Sequence, residues 1–264
     1  MKTSFIVGIL CLSFAVSLAM ADISIDGDLS DWGITLGNWG TYGVGVQAYI
    51  DSPRSGDFVD PGYGGSLYDA YAMYFTYDDT NAYVAFVSGF PQEGRAHSTA
   101  PGGFFYPGDL ALNFGGNWEY GVRLNTNESL RSGVGDYKGI YRVTDWQEPY
   151  EGSTTYAGYF NSSFPTVINA TSQNLGQANL FYSGNKGTAD PWYVVEVAIP
   201  RNTTGFSWED GFTIHWTQTC GNDALDLNIP QGTVPPVPEP VSVSLFLLGA
   251  GALGLKLFHR MEKE

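Results

Sequence analysis

The sequence predicts an all-β protein whose body is an antiparallel, jelly-roll-like β-sandwich. Three observations predict it: apolar and polar residues alternate in short runs, glycine and proline separate these runs, and we find no convincing amphipathic helix. The chain of 264 residues contains 34 Gly and 14 Pro, and 15% of its residues are aromatic. Many short strands joined by frequent turns are typical of sandwiches.

A hairpin is the clearest single element. Aromatic residues and methionine occupy every second position of 71–77, residues 78–81 have the composition of a turn, and 83–87 alternates again. Further strands are predicted at 44–50, 110–114, 120–124, 137–143, 154–160, 180–183, 192–199 and 212–217. Two long loops, 52–66 and 91–108, are the first places to look for a site, because loops of this length are uncommon unless they serve binding.

The first 21 residues predict a signal peptide. Lys2 precedes an apolar run, and Ala19-Met20-Ala21 places small residues at the two positions that signal peptidase reads. Cleavage there would make Asp22 the first residue of the mature chain and would leave residues 22–233 as an exported ectodomain. Cys220 is the single cysteine of that ectodomain, so the exported fold has to rely on its core and not on an internal disulfide.

The other end of the chain predicts a membrane-spanning segment. A proline-rich linker (234–240) precedes an apolar stretch (241–258) and a short charged tail (259–264). As a helix the apolar stretch would span about 27 Å, close to the roughly 30 Å of a hydrocarbon core. Lys256, Arg260 and Lys263 favour a cytoplasmic end for the tail. An ordinary C-terminal anchor is one interpretation.

The order of these parts supports a second interpretation. Pro238-Glu239-Pro240 stands directly before the apolar stretch and the basic end. This arrangement resembles the PEP-CTERM sorting signal of bacterial exosortase substrates. The resemblance implies processing by an exosortase at the inner membrane, followed by release to the cell surface or the extracellular matrix. The two prolines would hold Glu239 in extended backbone that a membrane-embedded protease can reach.

Four segments of the body carry a second resemblance. They are IDGDLSDW at 25–32, FTYDDTNAYVAFV at 75–87, GDLALNF at 108–114 and YVVEVAIP at 193–200. They resemble segments of family 9 carbohydrate-binding modules and related DOMON-like sandwiches, which implies a non-catalytic role in binding carbohydrate such as an exopolysaccharide. The chemistry of these residues alone indicates a structural role for Trp32, whose ring would close the open end of the sandwich. Glu196 is either a charge at a strand edge or a buried ligand for a cation.

Aromatic side chains and turn acids supply the candidate ligand residues. Sugar rings stack on flat aromatic rings, and the better candidates lie in loops or at strand ends: Tyr63, Phe105, Tyr106 and Trp146. Family 9 modules commonly hold structural calcium, an ion that takes six to eight oxygen ligands. The candidate calcium ligands are Asp26, Asp28, Asp31, Asp78, Asp79, Asn222 and Asp223. Solvated turn acids that bind no ion are the alternative.

Charge and histidine usage argue against other classes of function. The chain has 27 acidic and 12 basic residues, so its surface would repel a nucleic acid. Its histidines, His97, His215 and His259, stand apart, and no zinc-ligand spacing is present in the sequence. We therefore expect no enzyme activity. The alternatives left open are a structural matrix component without a specific ligand and a secreted glycoside hydrolase, whose two carboxylates need no fixed spacing in sequence.

Overall fold

A computed structural model describes residues 22–51, 59–126, 135–150, 163–187 and 190–234 of the chain. These residues confirm the all-β prediction with antiparallel sheets. The predicted signal peptide, the strand predicted at 154–160 and the C-terminal segments lie outside the described residues, and so do the predicted sorting residues Pro238, Glu239, Pro240, Lys256, Arg260 and Lys263. Within the described ranges, no helix is long and apolar enough to cross a membrane.

The strands follow the chain in a regular succession of short segments. They are β1 (Gln47–Ile50), β2 (Ala70–Tyr77), β3 (Asn81–Ser88), β4 (Arg95–Ala96), β5 (Phe104–Phe105), β6 (Leu110–Asn113), β7 (Tyr120–Val122), β8 (Gly139–Trp146), β9 (Ile168–Gln177), β10 (Asn179–Tyr182), β11 (Tyr193–Pro200), β12 (Phe212–Thr217) and β13 (Ala224–Ile229). Short 3₁₀ helices cover Gly65–Leu67, Pro101–Gly103 and Trp208–Asp210.

Two antiparallel sheets carry the fold. One has five strands in the order β1-β2-β3-β11-β10, and the other has six in the order β13-β12-β6-β7-β8-β9. The strands β4 and β5 pair with each other as a small separate hairpin. Strand β13 also packs against β1 and β2, so the two sheets meet closely along one side.

The main core lies between the two sheets. Alternation in β2 and β3 turns Phe75 and Phe86 inward, where they meet side chains from the six-stranded sheet. The ring centroids of Phe86 and Trp216 lie 4.5 Å apart, and those of Phe75 and Phe212, which meet edge to face, lie 5.2 Å apart. Cys220 is buried in this core as a free thiol, and burial raises its pKa to about 12. The core therefore holds the sandwich together without a disulfide among the described residues.

The five-stranded sheet is also apolar on its outer face, and the N-terminal segment covers it. Leu29, Trp32 and Ile34 pack there against residues such as Tyr74 and Val194. Trp32 is therefore structural, as expected, but it lies over the face of the sheet and not at the end of the sandwich. A sheet buried on both faces has strands that are apolar at nearly every position, and this explains the continuous run of β3.

One buried carboxylate fixes this cover to the sheet. Glu196 points outward from β11 and is fully buried. Its Oε1 accepts a hydrogen bond from the indole N–H of Trp32 at 2.8 Å, and its Oε2 accepts from the backbone N–H groups of Asp26 at 3.0 Å and Gly27 at 2.5 Å. Glu196 is thus neither a strand-edge charge nor, in this arrangement, a free ligand, because each of its oxygens is already an acceptor.

Four strands, β4, β5, β9 and β13, were missing from the sequence prediction. Strand β9 is a largely exposed edge strand in which polar residues outnumber apolar ones, so it lacks an apolar face to detect. In β13, by contrast, Leu225, Leu227 and Ile229 are buried and alternate with polar residues. The predicted loop 91–108 also contains the hairpin of β4 and β5. The predicted hairpin at 71–87 is confirmed as β2 and β3.

Replacing Glu196 by Gln should destabilise the fold by about 1–3 kcal/mol, because the amide NH₂ must then face at least one buried N–H donor. Burial raises the pKa of Glu196 to about 7, against the opposing effect of its hydrogen bonds. Because the pKa of Glu196 is higher in the folded than in the unfolded state, folding favours its protonated form. The contribution of this side chain to the free energy of unfolding is therefore present in full below about pH 4.5 and is lost as the pH rises towards 7.

Urea unfolding of both proteins between pH 4 and 8 measures this effect. The variant should lack the part of the pH dependence that Glu196 causes in this window. Glu209 is exposed, so Glu209→Gln is the matched control with the same change of charge. Equal unfolding free energies for Glu196→Gln and the parent protein at every pH would contradict the role assigned to this carboxylate.

Candidate functional site

The outer face of the six-stranded sheet carries a cleft of about 460 Å³, called here the Trp118 cleft. Its lining residues come from the segment before β7, from β8 and from the chain that leads into β9. They are Asn117, Trp118, Glu119, Arg142, Val143, Thr144, Asp145, Trp146 and Phe164. A concave surface that joins aromatic rings to a few polar groups is the usual form of a small-ligand site.

Irregular pairing of β8 with β9 brings Trp146 to this face. Strict alternation would send Val143 and Trp146 to opposite faces, but the register shifts between Val143, Asp145 and Trp146 place both in the same apolar cluster with Ile168. Bulges commonly re-aim side chains in this way. A Cβ at Gly121 would lie 2.7 Å from the Trp146 ring, so a glycine there allows the indole to lie flat against the sheet.

Trp146 forms the floor of the cleft and Trp118 forms part of its wall. Trp146 is 8% exposed, and its indole N–H donates to the backbone oxygen of Trp118 at 2.7 Å. Trp118 is only partly buried, and its ring lies 5.3 Å from the imidazole of His215. The floor is therefore fixed by packing and a hydrogen bond, and the wall offers an aromatic ring to a ligand.

The polar groups of the cleft have mixed charge. Arg142 and Asp145 are exposed on β8, and Glu119 precedes β7. The carboxylate of Asp145 accepts a hydrogen bond from the side-chain amide of Asn169, which orients it. The cleft thus presents a guanidinium donor and two carboxylate acceptors beside its aromatic rings, which is the combination that binds hydroxyl groups on a flat, partly apolar molecule.

His215, which stood apart in the sequence, has a partner in the structure. Its Nδ1 lies 2.9 Å from Oδ1 of Asp226, the residue directly opposite on β13. Its Nε2 is buried and has no hydrogen-bond partner in the described part of the chain. An Asp–His pair belongs to nucleophilic triads, but a triad also needs a hydroxyl or thiol at Nε2, and no described residue supplies one. Cross-strand pairing of β12 with β13 is the signal that would have revealed this contact.

The four predicted sugar-contacting residues are not brought together. Only Trp146 belongs to the Trp118 cleft. Tyr63 is 50% exposed and lies beside the turn at 218–223, where its backbone oxygen accepts from the side chain of Asn222. Tyr106 is half-buried and stacks on Phe104. Phe105 faces the inter-sheet core with 5% exposure, so it does not present its ring to a ligand.

The predicted calcium ligands are likewise scattered, and several already serve the backbone. Asp26 and Asp28 each accept from the N–H two residues later, and Asp31 accepts from Ser24 at 2.7 Å. In the hairpin turn, Asp79 is exposed, whereas Asp78 accepts bonds from residues 80, 81 and 83. Burial alone would raise the pKa of Asp78, but these hydrogen bonds, led by that from the Tyr83 hydroxyl, lower it.

Asp223 joins two acids that the sequence did not single out. One carboxylate oxygen from each of Asp51, Asp69 and Asp223 lies within 4.8 Å of the other two. Desolvation by burial raises the pKa of both Asp69 and Asp223. The backbone N–H of Ala70 donates to Asp223 at 2.6 Å, which anchors the cluster at the start of β2. Such a group can reduce its own repulsion by holding a proton or a hard cation.

Comparisons with known proteins add no relative to this picture. No family model matches the chain, and no curated protein matches its sequence. The site has therefore to be judged on its own geometry and chemistry.

Calcium binding stays a prediction, and the acidic cluster gives it a specific test. If calcium binds there, millimolar calcium should raise the melting temperature of residues 22–233 by several degrees, and a chelator should reverse the change. Asp69→Asn should remove the calcium response. In the presence of a chelator the same variant should be at least as stable as the parent protein, because the substitution relieves repulsion between like charges.

Differential scanning fluorimetry of the parent protein and two variants measures this. Asp79→Asn, in the exposed turn of the hairpin, removes the same charge outside the cluster and should keep the calcium response. A melting temperature of the parent protein that is indifferent to calcium and chelator would contradict the prediction.

Proposed function

We propose that the ectodomain is a non-catalytic carbohydrate-binding module and that a glycan binds in the Trp118 cleft. The observation that carries the proposal is the meeting of Trp118, Trp146 and Phe164 with Arg142 and Asp145 in one concavity. A pyranose ring presents flat C–H faces and a rim of hydroxyls, so it needs an aromatic surface beside hydrogen-bonding groups of both kinds.

The charge of the cleft favours neutral or weakly charged polysaccharides. Glu119 and Asp145 outnumber Arg142 in the lining, and the whole chain has a formal net charge of −15. A densely anionic polymer would be repelled at long range, whereas hydroxyl groups of a neutral sugar can accept from the guanidinium and donate to the carboxylates.

The same proposal covers the sorting of the protein. A predicted signal peptide, a proline-rich linker with Pro238-Glu239-Pro240, an apolar stretch at 241–258 that would form a single membrane-spanning helix, and a basic tail follow one another in order. Signal peptidase and an exosortase would read these ends, and the jelly-roll-like ectodomain would reach the cell surface or extracellular matrix. A structural matrix component without a specific ligand is the alternative function.

Trp118→Ala should weaken binding to the recognised polysaccharide about tenfold or more, because it removes the ring on which a sugar can stack. Arg142→Ala should also weaken it, with an unchanged melting temperature, since Arg142 is exposed. A glycan array identifies the sugar, and isothermal titration then measures the affinity.

Two matched variants sharpen this measurement. Tyr42 is 42% exposed and lies on the N-terminal segment, away from the six-stranded sheet, so Tyr42→Ala should bind like the parent protein. Tyr106→Ala tests the aromatic pair formed with Phe104. Loss of binding in Tyr106→Ala but not in Trp118→Ala would move the site away from the cleft. No retention of any sugar by the parent protein would leave the structural alternative.

Glu239→Ala should leave an intact, membrane-held form in cells that contain an exosortase, because the central residue of the sorting motif is changed. Immunoblots of membrane and extracellular fractions measure the two forms. Glu262→Ala, in the charged tail, is the control for loss of one acidic residue and should be processed normally. Normal processing of Glu239→Ala would contradict the role of the motif.

A further inference from the structure

A second cavity, of about 300 Å³, lies under the N-terminal segment on the outer side of the five-stranded sheet. It is called here the N-terminal pocket. Apolar and aromatic side chains such as Trp32 form much of its wall, and its acidic lining residues are Asp22, Asp31 and Asp78. No Lys, Arg or His stands among the described residues that line it.

Two buried polar atoms of residues that line this pocket have no hydrogen-bond partner among the described residues. They are Oδ1 of Asp31 and Oγ1 of Thr76. Thr76 is only 2% exposed. The other oxygen of Asp31 accepts from the backbone N–H of Ser24 at 2.7 Å. Because buried polar groups are nearly always paired, an acceptor and a hydroxyl left open in one pocket indicate a missing donor.

The groups around the pocket favour a cation as that donor. Hydrogen bonds from its own turn, against the effect of burial, lower the pKa of Asp78, so this carboxylate stays charged. Burial, together with the negative charge of Asp26, raises the pKa of Asp31, and no cation is among the groups that stabilise its ionised form. Asp22 adds a third charge close enough to Tyr83 to contribute to the raised pKa of that phenol.

Arg201 lies close to this region but is not among the residues that line the pocket. Its guanidinium lies 5.4 Å from the ring centre of Tyr77 and donates to the backbone oxygen of Asp78. Glu196, which Asp31 repels, faces the same N-terminal segment and adds further negative potential when ionised. The pocket is therefore an acidic, partly apolar cavity with an unfilled acceptor.

We propose that the N-terminal pocket binds a primary ammonium group, and that this group is the α-ammonium of Asp22 created by signal-peptide cleavage. The inference rests on the proposed export of the protein. Asp22 lines the pocket, and Ser24, two residues later, is already bonded to Asp31. Two residues of chain span at most about 7 Å, and Ser24 N lies 2.7 Å from the Asp31 carboxylate, so the nitrogen of residue 22 lies within about 10 Å of it.

Cleavage changes the chemistry of that nitrogen. In the uncleaved chain it is a neutral peptide nitrogen with one hydrogen, and residue 21 is attached to it. After hydrolysis of the peptide bond it is an ammonium with three donors and a positive charge. Three donors can satisfy both Oδ1 of Asp31 and Oγ1 of Thr76. Removal of the signal peptide thus completes the cover of the five-stranded sheet and makes the mature protein more stable than its precursor.

The test uses the mature full-length chain, residues 22–264, in detergent micelles. The pH dependence of N-terminal acylation measures the pKa of the α-amino group, which should lie above the ordinary range of about 7.7–8.0. Acetylation of that amine should lower the melting temperature by about 2–4 °C. Both effects should be lost in Asp31→Asn and retained in Asp28→Asn, which removes an exposed charge three residues away.

Thr76→Val provides a second variant that keeps the charge of Asp31, and it should reduce the effect of acetylation. An α-amino group that titrates in the ordinary range, or equal melting temperatures for the free and acetylated proteins, would overturn the proposal. The mass of the N-terminal peptide of the native protein tests the export step separately. A native N-terminus other than Asp22 would contradict the predicted cleavage site, whereas the titration reports on the pocket itself.

Discussion

The carboxylate of Glu196 is the interaction on which one side of the molecule depends. The outer face of the five-stranded sheet is apolar, and water would contact it if the N-terminal segment were not held there. Glu196 holds the segment by accepting from Trp32 and from the backbone at residues 26 and 27. The ring of Trp32 then closes the face, and Asp31 is placed beside it at the edge of the N-terminal pocket. The cover and the pocket therefore depend on one buried acid.

Other carboxylates in this chain also accept several backbone N–H groups. Asp109 is fully buried and accepts from the backbone N–H groups of Leu124, Asn125 and Ile168, so it ties the start of β6 to the end of β7 and the start of β9. Asp78 does the same for the β2–β3 turn. Glu196 and Asp109 thereby join segments distant in sequence, a role that disulfides often have in exported domains.

Local patterns predicted most of the strands. Alternation revealed the β2–β3 hairpin and β12, because each has an apolar face that repeats every second residue. Contacts between strands could not be predicted without the strand order. Asp51 and Asp69 meet because the end of β1 lies against the start of β2, and His215 meets Asp226 through the pairing of β12 with β13. Trp146 was chosen for its position at a strand end, but the bulges of β8 that bring it beside Trp118 and Arg142 are not encoded by a simple period.

The two outer faces of the sandwich differ in a way that decides where a ligand can bind. One face is closed by the N-terminal segment, and its polar groups are used to hold that cover. The other face has only a small apolar cluster, and Trp118 and Arg142 border a cleft that no described segment covers. An extended polymer needs an open surface, because its chain must enter and leave on both sides of the bound residues. Among the described residues, the outer face of the six-stranded sheet meets that requirement, whereas the N-terminal pocket, bounded by its own chain, suits a small charged group. The difference between the two cavities thus follows from which sheet the N-terminal segment covers.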